Sequence, residues 1–276
     1  MRSSRTSIGI REPYRIYRPI GQGPDLQINE TMSFEKFNEY VCSLARRSLN
    51  GLLRSRTHNP DLLIYEDKYR ITDGEIEGFS QYGQDLFCFH NIFRSAREGV
   101  FVDVGANHPK LLNNTYYFEK NGWHGIAFEP QEQLRKLWDT ERNTKCLPYV
   151  LGKENKKVNF IGTSDPYHHV FAGVDGFNRL HRSVRTTTTV LMQRRLDEVL
   201  IENDISRVDY LSIDVEGYEM NVLLGLDLSK VTVKCIDIEN DKWERHLGSG
   251  RLRRYLLNSG YRQIARVARD DIYIRK

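Results

Sequence analysis

Three short stretches carry the residues whose types and spacing point to chemistry. In "IDVEGYE" the acids Asp214 and Glu216 follow an apolar run, with Gly217 and Glu219 leading into a helical segment. In "GVFVDVGANHPK" Asp103 and Gly105 close another apolar run, with Asn107 and His108 directly behind. A glycine at such a bend lets the backbone turn sharply and approach a ligand with no Cβ in the way. The next apolar run, "GIAFEP", ends in Glu129 and Pro130. A carboxylate at that point accepts hydrogen bonds from both hydroxyls of a ribose. Acids at the ends of successive expected strands, Asp103 and then Glu129, therefore point to a nucleoside site.

The turn also narrows the ligand. A dinucleotide fingerprint wants G-x-G-x-x-G, whose later glycines admit a pyrophosphate and pack helix on strand. Here the run is G-A-N-H-P-K, with one glycine and a proline. No G-x-x-x-x-G-K-[ST] occurs either, which excludes a P-loop. A nucleoside without a pyrophosphate fits better, and S-adenosylmethionine is the leading candidate.

Methyl transfer from a sulfonium is an in-line displacement that needs an aligned nucleophile. A hydroxyl nucleophile also needs its proton removed or its developing charge balanced by a cation. Asp214 or Glu216 would act as base or position the acceptor. "CIDIEND" repeats the pattern on a further strand with Glu239, Asn240 and Asp241. Asp214 with Glu239 and Asn240 thus forms an alternative, a divalent cation held by oxygen ligands and gripping a diol. His108 and the pair His168 and His169 in "SDPYHHVFAG" are further base candidates, because histidine titrates near neutral pH. Glu219 reads as a helix-start acid, and Trp123, Trp138 and Trp243 read as packing residues.

A frame that brings strand ends together must position these groups. "VFVDV", "GIAFE", "KCLPYVLG", "KKVNFIG", "VDYLSIDV" and "VTVKCIDIE" are strand candidates, with the threonines 186–189 adding another. Helix-length segments around "NNTYYFEKNGW", "EMNVLLGL" and "GRLRRYLLNSG" lie between them. Strands alternating with helices imply a mostly parallel sheet with helices on both faces. The tail "YRQIARVARDDIYIRK" reads as a hairpin turning near Arg269 and Asp270, adding an antiparallel strand at or near the edge. Ahead of this rhythm, "SQYGQDLFCFHNIF" is expected as a helix with Leu86, Phe89 and Phe93 on one face. Earlier still, Pro13, Pro19 and Pro24 mark an irregular arm, and Ser33 is placed to cap a helix.

Composition excludes several classes. With 41 basic and 37 acidic residues the formal charge is +4, which leaves no strong nucleic-acid footprint. "RRSLNGLLRSR" and "RLRRY" read as solvated helix faces. The four cysteines have no C-x-x-C pair, which implies neither a zinc site nor a disulfide framework. No apolar run reaches the length of a membrane span, and "MRSSRTSIGIR" lacks the apolar core of a signal peptide. A cytoplasmic protein is expected.

"FVDVGAN", "GIAFEP" and "RRLDEVL…VDYLSIDVEGYEMNVLLGL", with "SQYGQD" and the "NNT…NGWHG" linkage, resemble the FkbM family of S-adenosylmethionine-dependent methyltransferases. The likeness runs over about residues 79–275, leaving 1–78 as an N-terminal arm and helical extension and 79–276 as the methyltransferase domain. It implies the class I, Rossmann-like sheet of seven strands. It also implies that Asp103, Gly105 and Asn107 line the methionine and ribose of the cofactor, that Glu129 with the adjoining Pro130 holds the ribose, and that the loop after "PYVLG" borders the adenine. A hydroxyl on a sugar, glycan or natural-product scaffold is the implied acceptor. The family often has lysine two residues before the first acid of "DVEG"; Ser212 stands there in this chain. A nucleic-acid methyltransferase and a catalytically inactive binding scaffold are the alternative readings.

Overall fold

The computed structural model describes residues 62–65, 78–163, 172–176, 185–240 and 250–276. All of them fall within the unit Leu49–Lys276. The apolar runs form strands β2 (Val100–Val104), β3 (His124–Phe128), β9 (Arg207–Ile213) and β10 (Thr232–Glu239). They are nearly continuous in hydrophobicity because both faces of their sheet are covered. On one face Val102, Ile126, Leu211 and Ile236 pack against helices α4 (Leu196–Glu202), α5 (Glu219–Leu224) and α6 (Arg251–Asn258). On the other, Phe101, Tyr210 and Cys235 meet α1 (Gln84–Phe87) and α2 (Tyr116–Lys120). A third helix on that face, α3 (Glu132–Glu141), buries Trp138 against Ala106 and Ala127.

The sheet is eight-stranded and mixed, not the seven-stranded one expected. Its order is β1-β11-β12-β10-β9-β2-β3-β4, with β1 (Leu63–Tyr65), β4 (Lys145–Leu147), β11 (Tyr261–Val267) and β12 (Asp270–Arg275). β4, β3, β2, β9 and β10 run parallel. β12 lies antiparallel between β10 and β11, so the closing hairpin enters the sheet instead of ending it. The extra edge strand is β1, parallel to β11, contributed from within residues 1–78, the part expected to lie outside the methyltransferase domain as an arm and helical extension. From β2 the chain builds outward through β3 to β4, then returns to the other side of β2 as β9. That reversal creates a crevice beyond the carboxyl ends of β2 and β9.

The surplus strand candidates form a second sheet of four strands, ordered β5-β8-β6-β7. Its members are β5 (Val150–Leu151), β6 (Lys156–Gly162), β7 (Gly173–Val174) and β8 (Thr187–Arg194). "KCLPYVLG" therefore splits between two sheets around Pro148. Its proline has no N–H to offer a ladder.

"SQYGQDLFCFHNIF" forms the single turn α1 and then a π-helical stretch, Cys88–Ile92. Asp85 holds its entry, accepting hydrogen bonds from Phe79 N at 2.6 Å and Ser80 Oγ at 2.6 Å. Among the described residues no helix is long and apolar enough to cross a membrane, and Cys88, Cys146 and Cys235 are free.

Candidate functional site

The crevice holds an open cleft lined by Gly105, Asn107, Glu129, Asp214 and Tyr218. Its floor is the turn after β2. Gly105 has φ +81°, and a Cβ there would lie 1.9 Å from the carbonyl oxygen of Asp214. The two strand-end loops thus touch backbone to backbone, which admits only glycine. The next bend is at Asn107, whose φ is 47°. Its carbonyl accepts Trp138 Nε1 at 2.8 Å and its amide N–H donates to Glu129 Oε2 at 2.9 Å. Asn107 Oδ1 is buried and has no partner among the described residues.

Glu129, 3% exposed, stands directly after β3. Its second oxygen, Oε1, accepts Gln131 N at 2.7 Å. Two backbone N–H groups therefore fix the carboxyl at the cleft wall and leave lone pairs for a ligand. Burial pushes its pKa up to about 7, against these hydrogen bonds, which favour the charged form.

The opposite wall is the turn after β9. Asp214 N donates to Val104 O at 3.0 Å, locking the turn to β2. Asp214 and Glu216 line the cleft, and Asp214 Oδ1 is buried with no partner among the described residues. Burial, and after it the charges of Glu239, Glu216, Asp270 and Glu219, raise the Asp214 pKa well above the usual carboxylate range. Glu216 has φ 56°, and Gly217 N donates to Glu219 Oε1 at 2.6 Å. Glu219 thus ties down the turn that opens α5, in keeping with its reading as a helix-start acid.

The roof comes from the second sheet, with Val150, Phe160 and Val174 packed on Tyr218. The Tyr218 hydroxyl donates to Gln193 Oε1 at 2.9 Å. Gln193 in turn donates to Glu154 O at 2.7 Å. Tyr218 and the roof residues carry no sequence signal beyond apolar character. Their approach depends on a sheet whose strands lie far apart in the chain.

The structure brings Gly105, Asn107, Glu129, Pro130, Asp214 and Glu216 together around the cleft and leaves three expected site residues outside it. Asp103 points to the other face of the sheet. Its Oδ2 accepts Thr115 Oγ1 at 2.7 Å and Asn113 Nδ2 at 3.2 Å. Arg142 completes that knot, donating to Asn113 Oδ1 at 3.1 Å and to Pro109 O at 2.7 Å. Asp103 therefore anchors the "NNT" linkage. His108 Nδ1 accepts the N–H groups of Lys110 and Leu111, each at 3.1 Å, which makes it a turn residue. Glu239 is 7% exposed and does not line the cleft.

Asn240 donates to Asp271 Oδ2 at 2.7 Å, so the triplet with Asp214 and Glu239 is not assembled as a metal site. No three His, Cys, Asp or Glu side chains among the described residues are placed to hold a metal. His168, His169, Asp241 and Trp243 lie outside the described residues. Trp123 and Trp138 are buried packing residues, as expected.

A mixed, largely parallel α/β sheet with a carboxylate-lined cleft at its reversal point defines the general class. The model of the Methyltransferase FkbM domain matches residues 103–263, more than half of the chain, and this chain belongs to that family. It is 38% identical over 88 residues to the AMB antimetabolite synthetase AmbE of Pseudomonas aeruginosa. That match covers 29% of this chain and spans only 4% of the length of the relative. The crystal structure of methyltransferase FkbM from Methylobacillus flagellatus aligns at 16% identity with a TM-score of 0.42. The alignment covers 64% of this chain and 44% of that one.

Proposed function

We propose that this chain is an S-adenosylmethionine-dependent O-methyltransferase acting on a hydroxyl of a sugar, glycan or natural-product scaffold. One observation carries the cofactor reading. The cleft is lined by three carboxylates, Glu129, Asp214 and Glu216, and among the described residues by no lysine, arginine or histidine. A nucleotide phosphate would face that wall without the cations that ordinarily recognise it. A nucleoside bearing a sulfonium and an ammonium matches it. The order of the strands from β4 to β11, with β12 inserted antiparallel, is the arrangement read here as the Rossmann-like sheet of class I methyltransferases.

S-adenosylmethionine supplies an activated methyl group when bound. Glu129, fixed by the N–H groups of Asn107 and Gln131, would hold the ribose hydroxyls. The partnerless oxygens of Asn107 and Asp214 offer acceptors to the polar end of the same molecule. The apolar roof of Val150, Phe160 and Val174 would cover the base and exclude water from the cleft. Asp214, whose proton affinity is raised by burial and neighbouring acids, takes the acceptor's hydroxyl proton at its carboxyl oxygen.

Mass spectrometry of a glycan and metabolite panel, incubated with the protein and isotopically labelled cofactor, tests the transfer. An oxygen-linked labelled methyl supports the reading. A panel that gains no labelled methyl, while RNA or DNA incubated in parallel does, would overturn it.

A further inference from the structure

The turn that floors the cleft is gripped from beneath by one helix. α3 carries Trp138 near its end and delivers Arg142 just past it. Trp138 Nε1 donates to Asn107 O at 2.8 Å, and Arg142 donates to Pro109 O at 2.7 Å. The guanidinium carbon stands 4.5 Å from the centre of the Trp138 ring, within cation–π range. Both side chains are buried, so neither grip competes with water.

Asn107 is the residue on which the Trp138 contact acts. Its N–H donates to Glu129 Oε2 at 2.9 Å, which fixes the peptide plane before its Cα. Its carbonyl, held by Trp138, fixes the plane after it. Peptide planes are rigid, so orienting both of them sets φ and ψ together, and with them the direction of the side chain. The resulting φ of 47° is left-handed, a conformation that asparagine tolerates better than most residues.

This geometry delivers the Asn107 side chain to the cleft. Its Oδ1 is buried there with no partner among the described residues. Buried acceptors are ordinarily satisfied, so an orphaned one lining a cleft calls for a donor on the ligand. With the ribose assigned to Glu129 and the base to the apolar roof, the donor left for Asn107 is the ammonium of the amino-acid end.

We propose that Trp138 is a positioning residue for cofactor recognition. Its indole N–H sets Asn107 so that the amide oxygen receives that ammonium, and the cleft thereby distinguishes S-adenosylmethionine from the same nucleoside without an amino-acid end. This rests on the cofactor reading given above and deepens it. Phenylalanine at this position would keep an aromatic ring against Ala106 and Ala127 but donate nothing to Asn107. The second plane would lose its anchor while the carboxylate assigned to the ribose kept its own.

Calorimetry of the full chain with S-adenosylhomocysteine and 5′-methylthioadenosine tests this. Both are thioethers of one nucleoside, and only the first carries the amino-acid end. The parent is expected to bind S-adenosylhomocysteine about ten-fold or more tightly than its truncated counterpart. Trp138→Phe should weaken S-adenosylhomocysteine about ten-fold and leave 5′-methylthioadenosine within about two-fold. If that variant is too unstable to purify, the benzothiophene analogue of tryptophan at the same position, which keeps the ring shape without the N–H, should give the same result. Asn107→Gly keeps the left-handed turn and removes the amide, so it should reproduce the loss, and adding Trp138→Phe to it should cost less than about two-fold more. Equal weakening of both ligands would leave Trp138 a packing residue and overturn the proposal, as would unchanged affinity for S-adenosylhomocysteine. A parent that binds both ligands alike overturns the proposal and leaves the nucleoside site standing. A parent that does not bind S-adenosylhomocysteine overturns the cofactor reading, and the positioning role falls with it.

Discussion

The carbonyl oxygen of Asp214 stands 1.9 Å from where a Cβ on Gly105 would be, so the turns after β2 and β9 close on each other through glycine alone. The contact ties the floor of the cleft to the carboxylate proposed as the base. Gly105→Ala adds a left-handed backbone penalty of about 1–2 kcal/mol. It also adds an overpacking penalty of about 1–3 kcal/mol. Urea denaturation should show a loss of roughly 2–5 kcal/mol on these grounds. A variant as stable as the parent would mean that the turns do not meet as described.

Glu129 makes cofactor affinity depend on pH. Its carboxyl titrates near 7 in the folded protein, against 4.5 ordinarily. Ribose hydroxyls donate best to the ionised form, so affinity for S-adenosylmethionine should rise as pH increases from 6 to 8. Stability moves the other way. The folded state holds the proton that the unfolded state releases, so this group's contribution is complete below about pH 4.5 and lost as pH rises through about 7. The shift is worth about 3 kcal/mol at one pKa unit per 1.36 kcal/mol. Glu129→Gln should therefore flatten this pH dependence of stability and weaken cofactor binding ten-fold or more. Parallel melting and calorimetric titrations at pH 6 and 8 check both.

Asp103 and Glu129 show where the sequence was readable and where it was not. Both are acids at the ends of buried apolar runs, and the strands themselves were legible because they are covered on both faces. What differs is the direction of the side chain. Asp103 lies within β2 and turns to the face that holds Thr115 and Asn113, while Glu129 stands one residue past β3 and faces the cleft. Asp103 is level with Ala127, two residues short of Glu129, and that offset was invisible without exact strand ends. The second sheet was hidden for another reason. The threonine run and "KKVNFIG" read as strands, but nothing local says which sheet they join. The eighth strand is three residues long, too short to show a period.

Asp103→Ala should accordingly act on folding. It strips Thr115 and Asn113 of a buried acceptor, with a loss of about 1–3 kcal/mol per orphaned group. The affinity of the folded fraction for S-adenosylmethionine should stay within about three-fold, the equivalent of about 0.7 kcal/mol. A stable variant that cannot bind the cofactor would return Asp103 to the site.

Asp214→Asn retains the shape and amide geometry of its turn but removes the proton acceptor. Turnover should fall by about 10²-fold or more, the usual contribution of a general base. Cofactor affinity should change far less. Unchanged turnover in single-turnover kinetics would relieve Asp214 of the base role.

Tyr218→Phe cuts the link between the roof and Gln193. The loss of one hydrogen bond, about 1 kcal/mol, should appear as roughly five-fold weaker cofactor binding with turnover at saturation preserved. A fall in turnover with binding intact would place Tyr218 with the acceptor instead.

The central claim is that the carboxylate-lined cleft holds S-adenosylmethionine, and isothermal titration of the full chain with that cofactor tests it most directly. The structure predicts saturable one-to-one binding that Glu129→Gln weakens at least ten-fold. No heat at millimolar cofactor, or binding indifferent to Glu129→Gln, would contradict it.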